Sequence, residues 1–557
     1  MKKVTVILLS LIVAVGGFMR IYNLSNSPPS LNWDEAALGY NAYSVSKTLK
    51  DEYNKRLPLF TRSFDEYKSM IPVYMMIPSI YIFGLNEVGV RFPSAFLGML
   101  SIILVFLVAK EFFKDEKTSL VCALIFAVEP WTVELSRVYQ EASTALFFLL
   151  TGLLLYLYSK KLKSLLPLSV ISFGISMFTY NSNKILVPLY LLILFLAKRN
   201  IAKIYPKKIK LIGLTIALLI ISLFLFFVIK GEAFARVSST NIFILWPTTQ
   251  VLKPLIETHR LSQIGAFLLH NNYFYFSWEV VGRYLSYFSP INLFVREPLE
   301  PSTKVPDSSV FYAFEFIPWL IGLYIVLKNR KQISELFYLM LISPIPAVFT
   351  WNWFQPGRVM TLLFVYSLLI GAGLVRIIDL LSTYLYKIVK VIKFKIAFIQ
   401  KILYLSLVIF CLISAFYLFD AINVQLPIRD SGNWQPGFRG TVPVVMRYTD
   451  QYKQVVIETP HAQPYIFYLF YGAYDPAKYQ RELNLEKIGV PRKVYDFGKF
   501  EFRKIDWEKD RSMENTLFVG NDDNLPQERV GSDVNVTFVY KVQNNFGDTI
   551  AKLVGTK

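Results

Sequence analysis

The chain has 557 residues, 54% hydrophobic and 16% aromatic, with a formal net charge of +19 and a mean hydropathy of +0.41. A composition this apolar, with repeated runs near the length of a bilayer crossing, excludes a single soluble globular domain and marks a polytopic membrane protein. The basic residues sit in short clusters between the apolar runs, which is the distribution of the positive-inside rule and not the surface of a nucleic-acid binder. The two cysteines, Cys122 and Cys411, fall inside apolar runs, and the three histidines, His259, His270 and His461, have no zinc spacing. No disulfide framework or metal motif is therefore expected.

Met1-Lys2-Lys3 precedes an apolar run that continues without a small-residue cleavage site, so a retained first helix is predicted over 4–22, starting inside. The loop from 23 to 69 then lies outside. The next apolar segment, 70–84, is short and carries Pro72, Pro78 and a terminal Gly84. If it crossed the membrane, Lys110, Lys114 and Lys117 would fall outside, and every later basic cluster with them. If it lies in the outer interface, all of those clusters fall inside, including Lys160, Lys161 and Lys163, the stretch 198–210, Lys328 with Arg330, and the stretch 376–401. Segment 70–84 is therefore read as juxtamembrane.

The second span runs over 91–113. The rest are predicted at 119–131, 141–158, 164–180, 184–197, 210–229, 311–327, 333–350, 358–376 and 402–420, about eleven helices in all. The N-terminus is placed in the cytoplasm. A transmembrane domain covers 1–420, with outer loops 23–90 and 230–310. The aromatic-rich stretch 266–294 is read as partly interfacial. Residues 421–557 change character, with short apolar runs and frequent turn residues, and Val455–Ile457 and 534–540 read as strands. They are expected to form a small soluble α/β domain outside the cell membrane.

Polar residues gather at the outer ends of these helices. Asp34 and Glu35 follow the first helix, Lys68 precedes the juxtamembrane segment, and Arg91 opens the second span. Glu134, Arg137 and Glu141 lie between the third and fourth spans, and Asn181, Asn183 and Lys184 between the fifth and sixth. Trp351, Trp353, Gln355 and Arg358 lie between the ninth and tenth. Charge close to apolar depth is costly and is commonly functional. Lys68, Arg137 and Arg358 suit a lipid phosphate, and Asp34 suits a base that deprotonates an acceptor hydroxyl. A single in-line displacement would invert the anomeric centre. Arg91, Glu141 and Tyr74 are candidate substrate contacts.

Each of these residues also has a structural reading. Asp34 can cap a helix that starts at Glu35. Arg91 and Arg358 can anchor at the interface. Arg137 and Glu141 have the spacing of an ion pair on one helix. Trp351 and Trp353 fit an aromatic belt.

The stretches WDEAALGYNAYSV (33–45) and 51–100 resemble prokaryotic members of glycosyltransferase family 39, the dolichyl-phosphate-mannose protein mannosyltransferases, as do EPWTVELSRVYQEASTALFFLL (129–150), SFGISMFTYNSNKILVPL (172–189) and HAQPYIFYLFYGAYDPAKYQ (461–480). The resemblance covers about 1–380 and part of the outer domain. It implies the GT-C fold, an undecaprenyl- or dolichyl-phosphate sugar donor, and an inverting mechanism without a metal cofactor, although a divalent ion is not excluded. It implies Asp34 as base with Glu35 beside it, and Lys68, Arg137 and Arg358 as donor-phosphate contacts. Lys68 is followed by Ser69-Met70-Ile71 before Pro72, where related lipid-modifying members have two prolines. The segment 230–310 is too short for the inserted domain of the eukaryotic protein mannosyltransferases.

The function expected is transfer of mannose or a related sugar from a polyprenyl-phosphate carrier, among membrane lipids, to a protein, lipid or glycan acceptor on the extracytoplasmic face of the cell membrane. A lipid or glycan flippase is the alternative. It calls for paired ionisable residues within mid-membrane helices and a repeat between halves, and the sequence has neither.

Overall fold

A computed structural model of the chain describes residues 2–64, 66–138, 141–197, 203–233, 268, 271–298, 304–350, 352–388, 396–429, 434–459, 463–483, 496–525, 535–543, 547 and 549–557. Trp351, His259, His270, His461 and most of the outer segment 230–270 lie outside the described residues. The principal elements begin with α1 (Lys3–Ile21), α2 (Trp33–Thr48), a hairpin of β1 (Phe60–Ser63) and β2 (Glu66–Ser69), α3 (Ile71–Phe83) and α4 (Glu87–Phe113). Then come α5 (Glu116–Val128), α6 (Pro130–Arg137), α7 (Glu141–Ser159), α8 (Leu165–Thr179), α9 (Asn183–Ala197) and α10 (Lys207–Ile229). They are followed by α11 (Asn272–Ser286), α12 (Phe316–Lys328), α13 (Ser334–Ile342), α14 (Met360–Ile388) and α15 (Ile396–Asp420).

Among the described residues, six helices are long and apolar enough to cross a membrane, or seven if the bent pair α5 and α6 counts as one span. The protein is thus a multi-span membrane protein. Each of the eleven expected spans falls on a helix, but several of them are short. Fifteen residues, as in α8 and α9, rise only about 22 Å, less than the roughly 30 Å of a hydrocarbon core. The expected span 119–131 ends early, because α5 stops at Val128 and Pro130 opens α6 at an angle of 57°. Proline is tolerated in the first turn of a helix and not in its interior.

The chain forms two compact units, residues 1–22 with 94–426 and residues 23–93 with 427–557. The first loop therefore packs with the C-terminal segment in one unit, although the sequence assigns it to the transmembrane domain.

In the helical unit, α14 is buried along Met360–Val375, whereas α10 and α15 expose most of their apolar surface, as lipid-facing helices do. Small residues let the inner helices approach closely. A Cβ on Gly322 of α12 would strike the Leu369 carbonyl, and one on Gly373 of α14 would strike that of Pro318. Three serines at helical spacing on α8, Ser169, Ser172 and Ser176, each donate at 2.7 Å to carbonyls of α7, those of Gly152, Phe148 and Ala145. A hydroxyl in hydrocarbon needs such a partner, and here the need fixes the register of two helices.

In the second unit, the C-terminal segment contains α16 (Pro436–Tyr448), β3 (Gln454–Ile457), α17 (Pro464–Tyr471), α18 (Pro476–Glu482), β4 (Phe500–Phe502), β5 (Thr516–Gly520), β6 (Val536–Gln543) and β7 (Thr549–Thr556). The strands make one sheet in the order β4-β3-β5-β7-β6. β3 runs parallel to β4 and β5, and β7 pairs antiparallel with β5 and β6. All five residues of β5 are buried, as expected for a strand covered on both faces. Val456, Trp507, Phe518 and Val554 form the core beside it. The small α/β domain is present, the strand expected at 455–457 is β3, and the one expected at 534–540 overlaps β6 from Val536 onward, with residue 534 outside the described residues.

Candidate functional site

The site begins with the capping of α2. Asn32 is the N-cap, and its side chain accepts from the Glu35 N–H at 2.9 Å. The Glu35 carboxylate in turn accepts from the Asn32 N–H at 3.0 Å. This capping box corrects the reading of Asp34 as the cap, because the reciprocal pair requires a partner three residues on, and only Asn32 has Glu35 there. Asp34 is left at the second helical position, where the helix dipole favours negative charge.

Arg91 locks this loop. It is fully buried and donates to both Glu35 oxygens, at 2.8 and 3.1 Å, and to the carbonyls of Leu24, Pro28 and Ser30. The interfacial-anchor reading of Arg91 is thereby overturned, since a snorkelling arginine keeps its head in water. Glu35 is only 1% exposed and shares the cap and the ion pair. Its geometry is that of a positioning residue.

Asp34 differs from Glu35. Its side chain is 41% exposed and is paired with the Lys68 ammonium, which is 3% exposed. Lys68 lies on β2 opposite Thr61, and Thr61 donates to Asp51 at 2.8 Å, so the hairpin is fastened to the loop that follows α2. Glu66 is also near the ammonium, at 3.9 Å. The structure thus brings together Asp34, Glu35, Lys68 and Arg91 in one unit. Tyr74, in the same unit on α3, donates its hydroxyl to the Pro58 carbonyl at 2.5 Å.

Glu52 belongs to the same loop and was not singled out from the sequence. It is fully buried and accepts from the Asn41 side-chain amide at 2.8 Å, while its own N–H donates to the Asn41 side-chain oxygen Oδ1 at 3.0 Å. Burial pushes its carboxyl up to about 8, the Asn41 hydrogen bond opposes this, and Asp51 adds to the rise. An acid raised in the folded state keeps its proton while the unfolded chain loses its own. Stability is therefore full below about pH 4.5 and falls as pH rises from there to about 8, by an amount on the order of a few kcal/mol. Glu52→Gln removes this term, so the variant should gain most over the wild type near pH 8 and little at pH 4.5. Thermal unfolding in detergent across that range reads the effect, and parallel curves for the two proteins would refute it.

Arg137, Glu141 and Arg358 belong to the helical unit. Arg137 is buried at the end of α6 and donates at 2.7 and 2.8 Å to the carbonyls of Met19 and Tyr22, at the C-terminal end of α1. Glu141 opens α7, so the two residues do not share the single helix that their structural reading as an ion pair requires. Arg358 is half-buried in the turn Pro356–Val359. Trp353 is exposed, but its ring covers the Arg283 guanidinium at 5.2 Å.

Sequence reasoning also missed Arg20 and Glu129. Arg20 donates to the carbonyls of Phe126 and Ala127 at the end of α5, and Glu129 accepts from the Ser367 hydroxyl at 2.7 and 2.8 Å. Arg20 and Arg137 thus each cap the C-terminus of another helix, where cations are favoured. Charges at the ends of apolar runs were the available signal, but their partners lie more than a hundred residues away. Among the described residues, no three His, Cys, Asp or Glu side chains converge as metal ligands.

With this geometry in place, likeness to known proteins is informative. Residues 68–227 match the family described as dolichyl-phosphate-mannose-protein mannosyltransferase. No curated protein matches the chain in sequence. Among solved structures, ArnT from Cupriavidus metallidurans bound to undecaprenyl phosphate has a TM-score of 0.54 at 12% identity, covering 98% of this chain and 97% of that one. The oligosaccharyltransferase AglB from Archaeoglobus fulgidus, in complex with an inhibitory peptide and a dolichol-phosphate, has a TM-score of 0.50 at 15% identity, covering 85% of this chain. The present chain spans 64% of the length of that protein. At these identities the likeness is one of fold, and the fold is GT-C.

Proposed function

We propose that the protein is an inverting glycosyltransferase that moves a sugar from a polyprenyl-phosphate carrier to an acceptor hydroxyl on the extracytoplasmic face. The single observation that carries this reading is the pair of Asp34 and Lys68. An exposed carboxylate sits in the first turn of a helix, beside a buried ammonium, on the loop that follows the first membrane helix. The mannosyltransferase-family match from residue 68 onward supports the reading, and so do the polyprenyl and dolichol phosphates bound by the two structural relatives.

In this mechanism the Asp34 carboxylate takes the proton of the acceptor hydroxyl. The acceptor oxygen attacks the anomeric carbon, and the bond from that carbon to the phosphate oxygen breaks, its electron pair leaving with the phosphate. One displacement inverts the centre. Phosphate is already a good leaving group, so no general acid is required. Lys68 neutralises charge beside the carboxylate and is the cation of this unit assigned to the donor phosphate. Glu35 and Arg91 position Asp34. Mannose is the first sugar to test, followed by other hexoses and pentoses, and the acceptor is a protein, a lipid or a glycan.

The test uses the full-length protein in detergent with polyprenyl-phosphate-linked mannose, and then with a panel of other polyprenyl-linked sugars. Release of polyprenyl phosphate together with an anomerically inverted product is the expected result. Intact donor across the whole panel, with a membrane fraction supplying acceptors, would overturn the reading.

A further inference from the structure

The C-terminal segment contains a cavity of about 290 Å³, close to the lower end of the size of ligand pockets. It opens at the carboxyl ends of the parallel strands β3 and β5, where Ile457 and Glu458 face Val519 and Gly520. The chain leaves β3 towards β4 on one side and leaves β5 towards the β7 side on the other. Such diverging connections make a crevice at a topological switch point, the usual place for a ligand on an open α/β sheet. The first turns of α16 close the cavity from above, through Phe438 and Thr441.

Two polar groups in this lining are unsatisfied. Thr441 is only 4% exposed, yet among the described residues its hydroxyl has no hydrogen-bond partner, and the buried Gln435 side-chain oxygen has none there either. A buried polar group without a partner costs stability, so it calls for an explanation, and a ligand supplies one. The chemistry of the lining narrows the choice. Among the described lining residues, Glu458 is the one charged residue and none is a cation. A phosphate or carboxylate would meet this carboxylate with nothing to neutralise it. Glu458 keeps one oxygen on the Ile505 N–H at 2.6 Å. Phe438 and Tyr468 add aromatic surface. Hydrogen-bond acceptors, the hydroxyl-bearing side chains of Thr441 and Tyr468, and aromatic faces in a small space match a neutral ring that carries several hydroxyls.

We propose that this cavity holds one neutral sugar ring of a glycan, and that this glycan is the acceptor, the last clause resting on the transferase reading. The pocket is tested without any donor, so its fate is separate from that of the transfer reaction. Methyl α-D-mannopyranoside, methyl β-D-glucopyranoside and methyl β-D-xylopyranoside are titrated into the full chain in detergent, with saturation-transfer NMR and calorimetry as readouts. Binding of at least one is expected. Thr441→Val should weaken it about fivefold or more, the value of a lost hydrogen bond, without lowering the melting temperature, because the hydroxyl it removes has no partner among the described residues. Glu458→Gln should weaken it as well. Absence of binding by all three pyranosides, or equal affinity in both variants, would overturn the proposal. Competition by inorganic phosphate would overturn it too, by making the pocket an anion site. If a pyranoside binds but no donor panel supports transfer, the pocket stands and the transferase reading falls.

Discussion

Asp34→Asn is expected to lower sugar transfer by about 10²–10⁴-fold, the range for loss of a general base. The substitution keeps the shape of the side chain and an oxygen for the Lys68 ammonium, and removes only the ability to take a proton. The fall should therefore lie in kcat, with KM for the lipid-linked donor little changed. Asp34 is 41% exposed, so its ion pair with Lys68 is partly screened, and Glu66 stays near the same ammonium. The melting temperature should shift only slightly. Stopped or steady-state assays with the polyprenyl-phosphate sugar, beside donor binding by fluorescence or calorimetry, separate these terms. Transfer at the wild-type rate would remove Asp34 from the mechanism, and loss of donor binding would recast it as a binding residue.

What was legible in the sequence follows from the range of the interactions involved. The apolar runs read correctly as helices because hydrophobic length is a local signal, and the strands expected at 455–457 and 534–540, from β-branched and aromatic residues, overlap β3 and β6. The Asn32-Trp33-Asp34-Glu35 capping box was also local, yet two adjacent acids drew attention to Asp34 and away from Asn32. The break at Pro130 was missed, since the expected span ran to 131, although the proline itself carried the signal.

The roles of the charged residues were not legible. Glu35 and Arg91 are 56 residues apart, and Arg20 reaches carbonyls more than a hundred residues on. No spacing rule links such positions, so arginines that tie carbonyls together look, in sequence, the same as arginines that wait for a phosphate. The packing of the first loop with the C-terminal segment is equally remote. Arg439 pairs with Glu87 at 3.3 Å, and the Tyr471 hydroxyl donates to Glu87 at 2.9 Å, across more than three hundred residues.

Arg91→Met should cost about 3–5 kcal/mol of stability, the effect of stranding one partner of a buried ion pair. The arginine is fully buried, and its removal leaves the Glu35 carboxylate 1% exposed with its cation gone. The carbonyls of Leu24, Pro28 and Ser30 lose their donor at the same time. The loop that carries Asp34 should loosen, so transfer falls together with the melting temperature, unlike Asp34→Asn, where activity falls alone. Glu35→Gln should also destabilise, because the Arg91 guanidinium stays buried without its carboxylate, although the amide oxygen can still accept one hydrogen bond from it. Combining the two removes the stranded carboxylate, so the double variant should be more stable than the sum of the single losses by about 0.5–3 kcal/mol. Unfolding in a denaturing detergent series measures all four proteins. A loss under about 1 kcal/mol in Arg91→Met, or strict additivity in the cycle, would mean that the ion pair does not hold the loop. The position of Asp34 would then have to come from its capping box and the hairpin lysine alone.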